Sequence, residues 1–354
     1  MSNADTKSTV GPVEFSVVNE SIHVSIGRLQ ADAKTVLLSG VLVALLAAPF
    51  VLSGYLVGLL VLGFIFSIFA ISVDLVWGYA GILTFGHAAF FGLGAYFTGI
   101  LTTQFSIPSI GLIGLALAFL VSTLVGTAIA GILFFRGISE EYFTIITLAI
   151  AIVASQGAVI LSDITGGSNG LGGIPPLGIE IPGVLLYALS RDLFYFVALG
   201  ALIAVFLIGK RIVQSPFGTA LVGIKENETK ISSLGYNPVT YKALVFGLST
   251  GIAGFAGALY AMYSGFISPP ILGFILSTEV LIWVLIGGRG TLFGPVIGAT
   301  GLVLAENMFS GMFLSTWVLL LGIALILIVL VFPTGIAGLF SIAEQKLITR
   351  IESS

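Results

Sequence analysis

Long apolar runs, parted by short polar or glycine- and proline-bearing stretches, set the pattern of this chain. No Asp, Glu, Lys or Arg occurs between Lys34 and Asp74, nor between Asp74 and Arg136. A helix needs roughly 20 apolar residues to cross hydrocarbon, so each of these runs predicts two spans. The first holds 35–53 and 55–77, parted near Pro49 and Gly54; the second holds 87–103 and 110–135, parted near Pro108. Further spans are predicted at 142–161, 193–209, 243–264, 276–287, 292–309 and 316–332, that at 276–287 being short. The predicted fold class is an all-α polytopic membrane protein of about ten transmembrane helices.

The long polar interruption in the middle of the chain is 210–242, KRIVQSPFGTALVGIKENETKISSLGYNPVTYK. It carries Lys210, Arg211, Lys225, Glu226, Glu228, Lys230 and Lys242. Each charge placed centrally in a bilayer costs roughly 3 kcal/mol or more, which makes this an aqueous loop between two membrane blocks. Within it, 217–234 avoids proline and sets Ala220, Ile224 and Ile231 near one face. That spacing predicts one short amphipathic helix, stopped by Gly235 and then Pro238. Two roles fit it: a solvated connector, or a docking helix for a soluble partner.

Residues 1–33 are polar and lack the basic patch and apolar run of a cleavable signal, so this segment is expected in the cytosol. Within it, 13–26 alternates loosely, which permits a short strand or an interfacial segment. Threading the chain from there gives a membrane domain at 34–335 and a cytoplasmic tail at 336–354, with both termini inside. Of the 13 Lys and Arg, only Arg191 falls outside, a strong positive-inside bias. The 210–242 loop is then cytoplasmic, and the glycine-rich 162–192 loop is external, where a donor of substrate could meet it.

With 57% hydrophobic and 8% charged residues, a soluble core is excluded. A net charge of −3 without a basic tract gives no expectation of nucleic-acid binding. The absence of cysteine removes thiolate ligands and nucleophiles, and His23 and His87 lie far apart with no metal-ligand spacing. No G-x-x-x-x-G-K-[ST] occurs, and enzymatic chemistry, ATP hydrolysis included, is not expected of this chain.

Two glycine clusters lie within the apolar blocks. The first, 78–95, contains Gly78, Gly81 and Gly86, with His87 in its middle; the second, 287–301, contains Gly288, Gly290 and Gly294. Glycine at membrane depth permits close helix approach or unwound backbone around a cavity. His87 is read either as a packing residue bonded to a neighbouring carbonyl or as part of a substrate path. Glu279 and Glu306 are likewise read as interhelical hydrogen-bonding groups or substrate contacts. GILTFG at 81–86 and GTLFG at 290–294 weakly echo each other, which would make any repeat parallel.

Seven blocks together resemble a known family: GYAGILTFGHAAFFGLGAY at 78–96, YFTIITLAIA at 142–151, TGGSNGLGGIP at 165–175, SPFGTALVGIKENETKISSLGYNPVTYK at 215–242, LSTGIAGFAGALYA at 248–261, GFISPPILGF at 265–274 and STEVLIWVLIGGRGTLFGPVIGA at 277–299. In order and spacing they resemble the LivM-type permeases of branched-chain amino acid ABC importers, over roughly 35–335. The resemblance implies a multi-pass subunit of the plasma (inner) membrane, paired with a second permease expected to be a different chain. Two ATPase subunits would carry ATP and Mg, an external solute-binding protein would deliver substrate, and this chain would hold no cofactor of its own. The family's docking motif falls on Gly218, Ala220, Glu226, Asn227, Glu228, Leu234 and Gly235. The translocation path and helix hinge are expected at Gly78, Gly81, Gly86, His87, Glu279, Gly288, Gly290 and Gly294. The segment KISSLG stands where an alanine-rich stretch is usual, and 1–33 falls outside the resemblance. Urea and short-chain amide permeases share the pattern, and an ion-coupled secondary transporter using Asp74, His87, Glu279 or Glu306 is the competing class.

Overall fold

The structure, a computed structural model, describes residues 7–10, 13–18, 21–26, 29–105, 110–181, 184–188, 190–310, 322, 335, 336 and 338. The predicted span at 316–332 and the 336–354 tail lie almost wholly outside these residues. The chain divides into two compact units, 1–57 with 337–354, and 58–336.

In the first unit, β1 (Lys7–Val10), β2 (Val13–Val18), β3 (Ser21–Ile26) and β4 (Leu29–Asp32) form an antiparallel meander. Pairing of Val10 with Val13, Val18 with Ser21 and Ile26 with Leu29 leaves two residues between successive strands. The strand that the alternation at 13–26 permitted is thus two strands of a four-stranded sheet. Helix α1 (Ala33–Val51) follows directly.

The second unit is helical. Its elements are α2 (Gly54–Asp74), which begins in the first unit and continues into a turn of π-helix at Leu75–Tyr79; α3 (His87–Phe105); α4 (Ile110–Phe135); α5 (Glu140–Ile160); the short α6 (Ser162–Thr165); α7 (Arg191–Gln214); α8 (Pro216–Glu226); α9 (Glu228–Ser233); α10 (Pro238–Ser264); α11 (Phe274–Gly287); and α12 (Phe293–Ser310). Between α6 and α7 lie β5 (Leu171–Gly172) and the hairpin β6 (Gly178–Ile181) with β7 (Val184–Ala188); β5 pairs with β8 (Phe266–Ile267), beyond α10.

Five helices among the described residues are long and apolar enough to cross a membrane: Gly54–Tyr79, Gly111–Phe135, Glu140–Ile160, Asp192–Gln214 and Pro238–Ser264. The first and last are 78% buried and the other three 22–39%, so α2 and α10 are the centre of the bundle and α4, α5 and α7 its rim. Rim positions such as Leu124, Ile132, Ile145, Val153 and Leu207 are exposed apolar side chains, suited to acyl chains.

The central place of α10 follows from its small residues. Added Cβ atoms at Gly247, Gly251 and Gly254 would meet Thr127, Thr123 and Ser122 of α4, and one at Gly257 would meet the Phe91 carbonyl of α3. Backbones therefore approach where side chains would forbid it, and dispersion between close helices replaces the hydrophobic force that lipid cannot supply. Bulk is concentrated beside these seams, where Phe66, Phe91, Tyr260 and Trp283 pack at ring distances of 5.0–6.1 Å.

Candidate functional site

The central loop folds as two helices where the sequence predicts one over 217–234. Ser215 caps α8, accepting from the Gly218 N–H at 3.4 Å, and Pro216 begins it, its fixed φ suiting the first turn. The break falls at Asn227, which is extended at φ −159° and accepts the Lys230 N–H on its own Oδ1 at 2.9 Å. An asparagine that competes for backbone donors in this way ends α8 and caps α9. Gly235, at φ +90°, then closes α9 as predicted. Pro238 is a helix start and no stop: it is the first residue of α10, behind an Asn237 cap.

The resemblance-derived docking set divides between two faces. Gly218 and Ala220 are buried, with Leu221 and Ile224, against this chain. A Cβ at Gly218 would lie 2.6 Å from the Val213 carbonyl carbon, so this glycine permits the tight α7–α8 corner. Glu226, Asn227, Glu228, Leu234 and Gly235 are exposed, as is Val222. Lys242 is not a loop residue at all: it lies within α10, only 4% exposed, bridging Glu140 of α5 and Glu228 of α9 at 2.7 Å each. That bridge ties the central loop to α5 and α10.

Lys225 makes a second tie. Its Nζ donates to the Gly78 carbonyl at 2.9 Å, and its Cγ would lie 3.0 Å from a Cβ on Gly81, whose φ is +83°. Four residues before Gly78, the carboxylate of Asp74 accepts the Gly290 N–H at 2.6 Å and the Leu292 N–H at 3.0 Å. Arg289 donates to the Trp77 carbonyl at 2.7 and 3.1 Å and lies 4.7 Å from the Trp77 ring. Segments of both glycine clusters and the central loop therefore meet through these contacts.

Both clusters break helices there. After the π turn, 80–86 is irregular until α3 begins; between α11 and α12, 288–292 is irregular, with Gly288 at φ +119° and Gly290 at φ +78°. Among the described residues, Leu292 is the one non-glycine with positive φ, at +56°. An L-residue there costs about 1–2 kcal/mol, which the Asp74 bond to its N–H offsets. Gly294 packs in this corner, where a Cβ would lie 2.6 Å from the Gly288 carbonyl oxygen.

His87 begins α3, deeply buried. Its Nε2 lies 2.8 Å from the Ser249 hydroxyl, which in turn donates to the Ser72 carbonyl. A hydroxyl has one proton to give, so Nε2 carries the hydrogen and donates to Ser249. The partner is a hydroxyl, where the packing alternative expects a carbonyl. Nδ1 meets no hydrogen-bond partner among the described residues, and the ring sits among Phe69, Phe90 and Phe246. Gly86 packs against the Thr147 carbonyl of α5. Glu279 and Glu306 stand apart from this cluster, both exposed on α11 and α12, Glu279 roughly 12 Å along its helix from Gly287.

Lys225, Arg289 and Leu292 are missing from the site set read from sequence, and Asp74 enters it only as an ion-binding residue of the competing class. The available signal was a single carboxylate at the end of a 21-residue apolar helix, directly before a glycine cluster.

The two irregular segments 80–86 and 288–292 thus meet a charged amphipathic loop in a chain of several membrane-length apolar helices. The family described as branched-chain amino acid transport system, permease component, matches residues 55–330, and the chain belongs to it. The chain is 30% identical over 334 residues to the high-affinity branched-chain amino acid transport system permease protein LivM of Escherichia coli strain K12, covering 86% of this chain and 76% of that one. It is 29% identical over 324 residues to LivM of Salmonella typhimurium, covering 84% and 74%. LivH of Salmonella typhimurium, another permease protein of a high-affinity branched-chain amino acid transport system, is 26% identical over 289 residues, covering 77% and 91%. No solved structure matches.

Proposed function

We propose that this chain is the permease subunit of an ATP-driven importer for branched-chain amino acids, spanning the inner membrane about ten times with both termini cytoplasmic. The observation that carries the reading is the family match over 55–330 together with a docking loop whose Lys225 is bonded into the first helix break. The exposed face of α8 and α9, with Val222, Glu226, Glu228 and Leu234, is the surface offered to an ATPase subunit, which binds the ATP and Mg. Two ATPases and a second permease complete the complex, and similarity to chains named both LivM and LivH supports pairing with a different permease. An external solute-binding protein delivers substrate toward the 162–192 side. Translocation proceeds by rocking of the helices broken at 80–86 and 288–292.

Affinity purification of the tagged chain from native membranes, with mass spectrometry of what accompanies it, tests the assembly. Chains carrying G-x-x-x-x-G-K-[ST] and a second hydrophobic permease are expected, and the purified complex in proteoliposomes is expected to take up leucine with internal ATP. A chain that purifies alone yet drives uptake under an ion gradient would make it a secondary transporter. Uptake of urea or a short amide in preference to leucine would correct the substrate.

A further inference from the structure

Resting on that reading, we propose that Asp74 is the positioning residue through which the docking loop and the 288–292 break move as one part. A fully buried carboxylate on an apolar helix is tolerated only when its lone pairs are filled. Here each oxygen takes a backbone N–H of the same loop, Gly290 at 2.6 Å and Leu292 at 3.0 Å. Both donor residues, Gly290 and Leu292, and Gly288 before them have positive φ. The bond from the Leu292 N–H to the carboxylate favours this left-handed shape, and its loss is expected to let the loop relax.

The other side of the same contact belongs to the docking loop. Gly78 gives its carbonyl to Lys225 of α8 at 2.9 Å, and a Cβ on Gly78 would meet the Asp74 carboxylate and lie 2.8 Å from the Gly290 nitrogen. There is no slack at this point. A shift of α8 carried by Lys225 to Gly78 presses directly on the Asp74–Gly290 bond. Arg289, held on the Trp77 carbonyl and ring, moves with the same π turn. The contacts therefore run without a gap from α8, through Leu75–Tyr79 and Asp74, to the loop that starts α12.

The test compares leucine uptake with phosphate release in proteoliposomes of the whole complex. Asp74→Asn keeps the size of the side chain but retains one acceptor oxygen and sets an amide donor against the second N–H. Hydrolysis is expected to continue, while leucine moved per ATP falls about tenfold, within the usual range of coupling between sites. Leu292→Gly, which adopts positive φ without strain, is expected to restore that ratio to within about threefold in the Asp74→Asn background. Lys225→Met is expected to lower the ratio by itself and to add nothing to Asp74→Asn, as for two residues on one path. Uptake and hydrolysis falling together with the amount of folded protein would overturn the proposal, as would a normal ratio in Asp74→Asn.

Hydrogen exchange on the purified chain reads the loop without any transport. The Gly290 and Leu292 amides should exchange about tenfold faster in Asp74→Asn, and unchanged exchange overturns the proposal whatever transport does. A wild-type complex without ATP-driven leucine uptake would refute the importer reading instead, leaving exchange to decide Asp74.

Discussion

The same substitution, glycine to alanine, is expected to change sign between Gly257 and Gly200. Both lie inside helices, α10 and α7, where the helical preference for alanine over glycine is worth about 0.8–1 kcal/mol. At Gly200 an added Cβ meets nothing within 4 Å, so Gly200→Ala should stabilise by most of that amount. At Gly257 it would lie 2.7 Å from the Phe91 carbonyl carbon and 3.1 Å from the Ala95 nitrogen, against about 3.5 Å for ordinary contact. The nearest obstacle is the Phe91 carbonyl oxygen, backbone that cannot rotate away, so α3 and α10 must part by more than an ångström. Overpacking costs about 1–3 kcal/mol, and the lack of any escape places this site at the upper end, about 3. Subtracting the propensity gain of about 1 leaves Gly257→Ala destabilised by about 2 kcal/mol. Unfolding of the purified chain in mixed micelles by increasing SDS, followed by tryptophan fluorescence, would measure both. A Gly257→Ala chain as stable as wild type would refute the claim that α10 is held by backbone approach.

Three further outcomes follow from single contacts. Lys242→Met, which preserves the stem but leaves Glu140 and Glu228 facing each other without a cation, should cost about 1–2 kcal/mol in the same unfolding assay. That range lies between exposed and buried ion pairs because both carboxylates are half exposed; adding Glu228→Gln should recover part of the loss. Ser249→Ala removes the acceptor of His87 and the donor to Ser72, two buried groups, and should destabilise by about 1–3 kcal/mol, with His87→Phe in that background regaining stability; no change would show that the hydroxyl bridge is dispensable. Glu279→Gln should raise the KM for leucine uptake by about threefold or more if this exposed carboxylate lines the path, while the yield of folded protein stays constant; a change confined to yield would assign Glu279 to structure.

The helices were legible because hydrocarbon leaves a charge-free run almost no alternative to a helix. Each predicted span from 35–53 to 292–309 overlaps one, including the short α11. The interior of the central loop was harder to read, since amphipathic spacing carries across a capping break: Ala220 and Ile224 are buried, and Ile231 packs its Cδ1 2.7 Å from where a Gly223 Cβ would be. Only the local competition at Asn227 splits the pattern, and composition does not distinguish a capping asparagine from a solvated one. Pro238 was misread for a related reason, because proline ends one helix and opens the next with the same fixed φ.

Lys242 and Asp74 show a different limit. Both were read by their places in sequence, one as the end of a charged loop and the other as an ion-binding candidate of the competing class. Their roles depend on partners far along the chain: Glu140 for Lys242, and Gly290 and Leu292 for Asp74. Hydrophobic pattern fixes which residues must avoid lipid, and a carboxylate in such a run must be satisfied by something. It does not say by what. In this chain the answer is backbone, and that choice matters mechanically. Two N–H groups of one loop hold the two carboxylate oxygens, which fixes the end of α2 against the segment that starts α12. The glycines that marked the region in sequence are the consequence: at Gly78 the Asp74 carboxylate and the Gly290 nitrogen, and at Gly81 the Lys225 stem, already stand where a side chain would begin, while Gly290 is required by its φ of +78°.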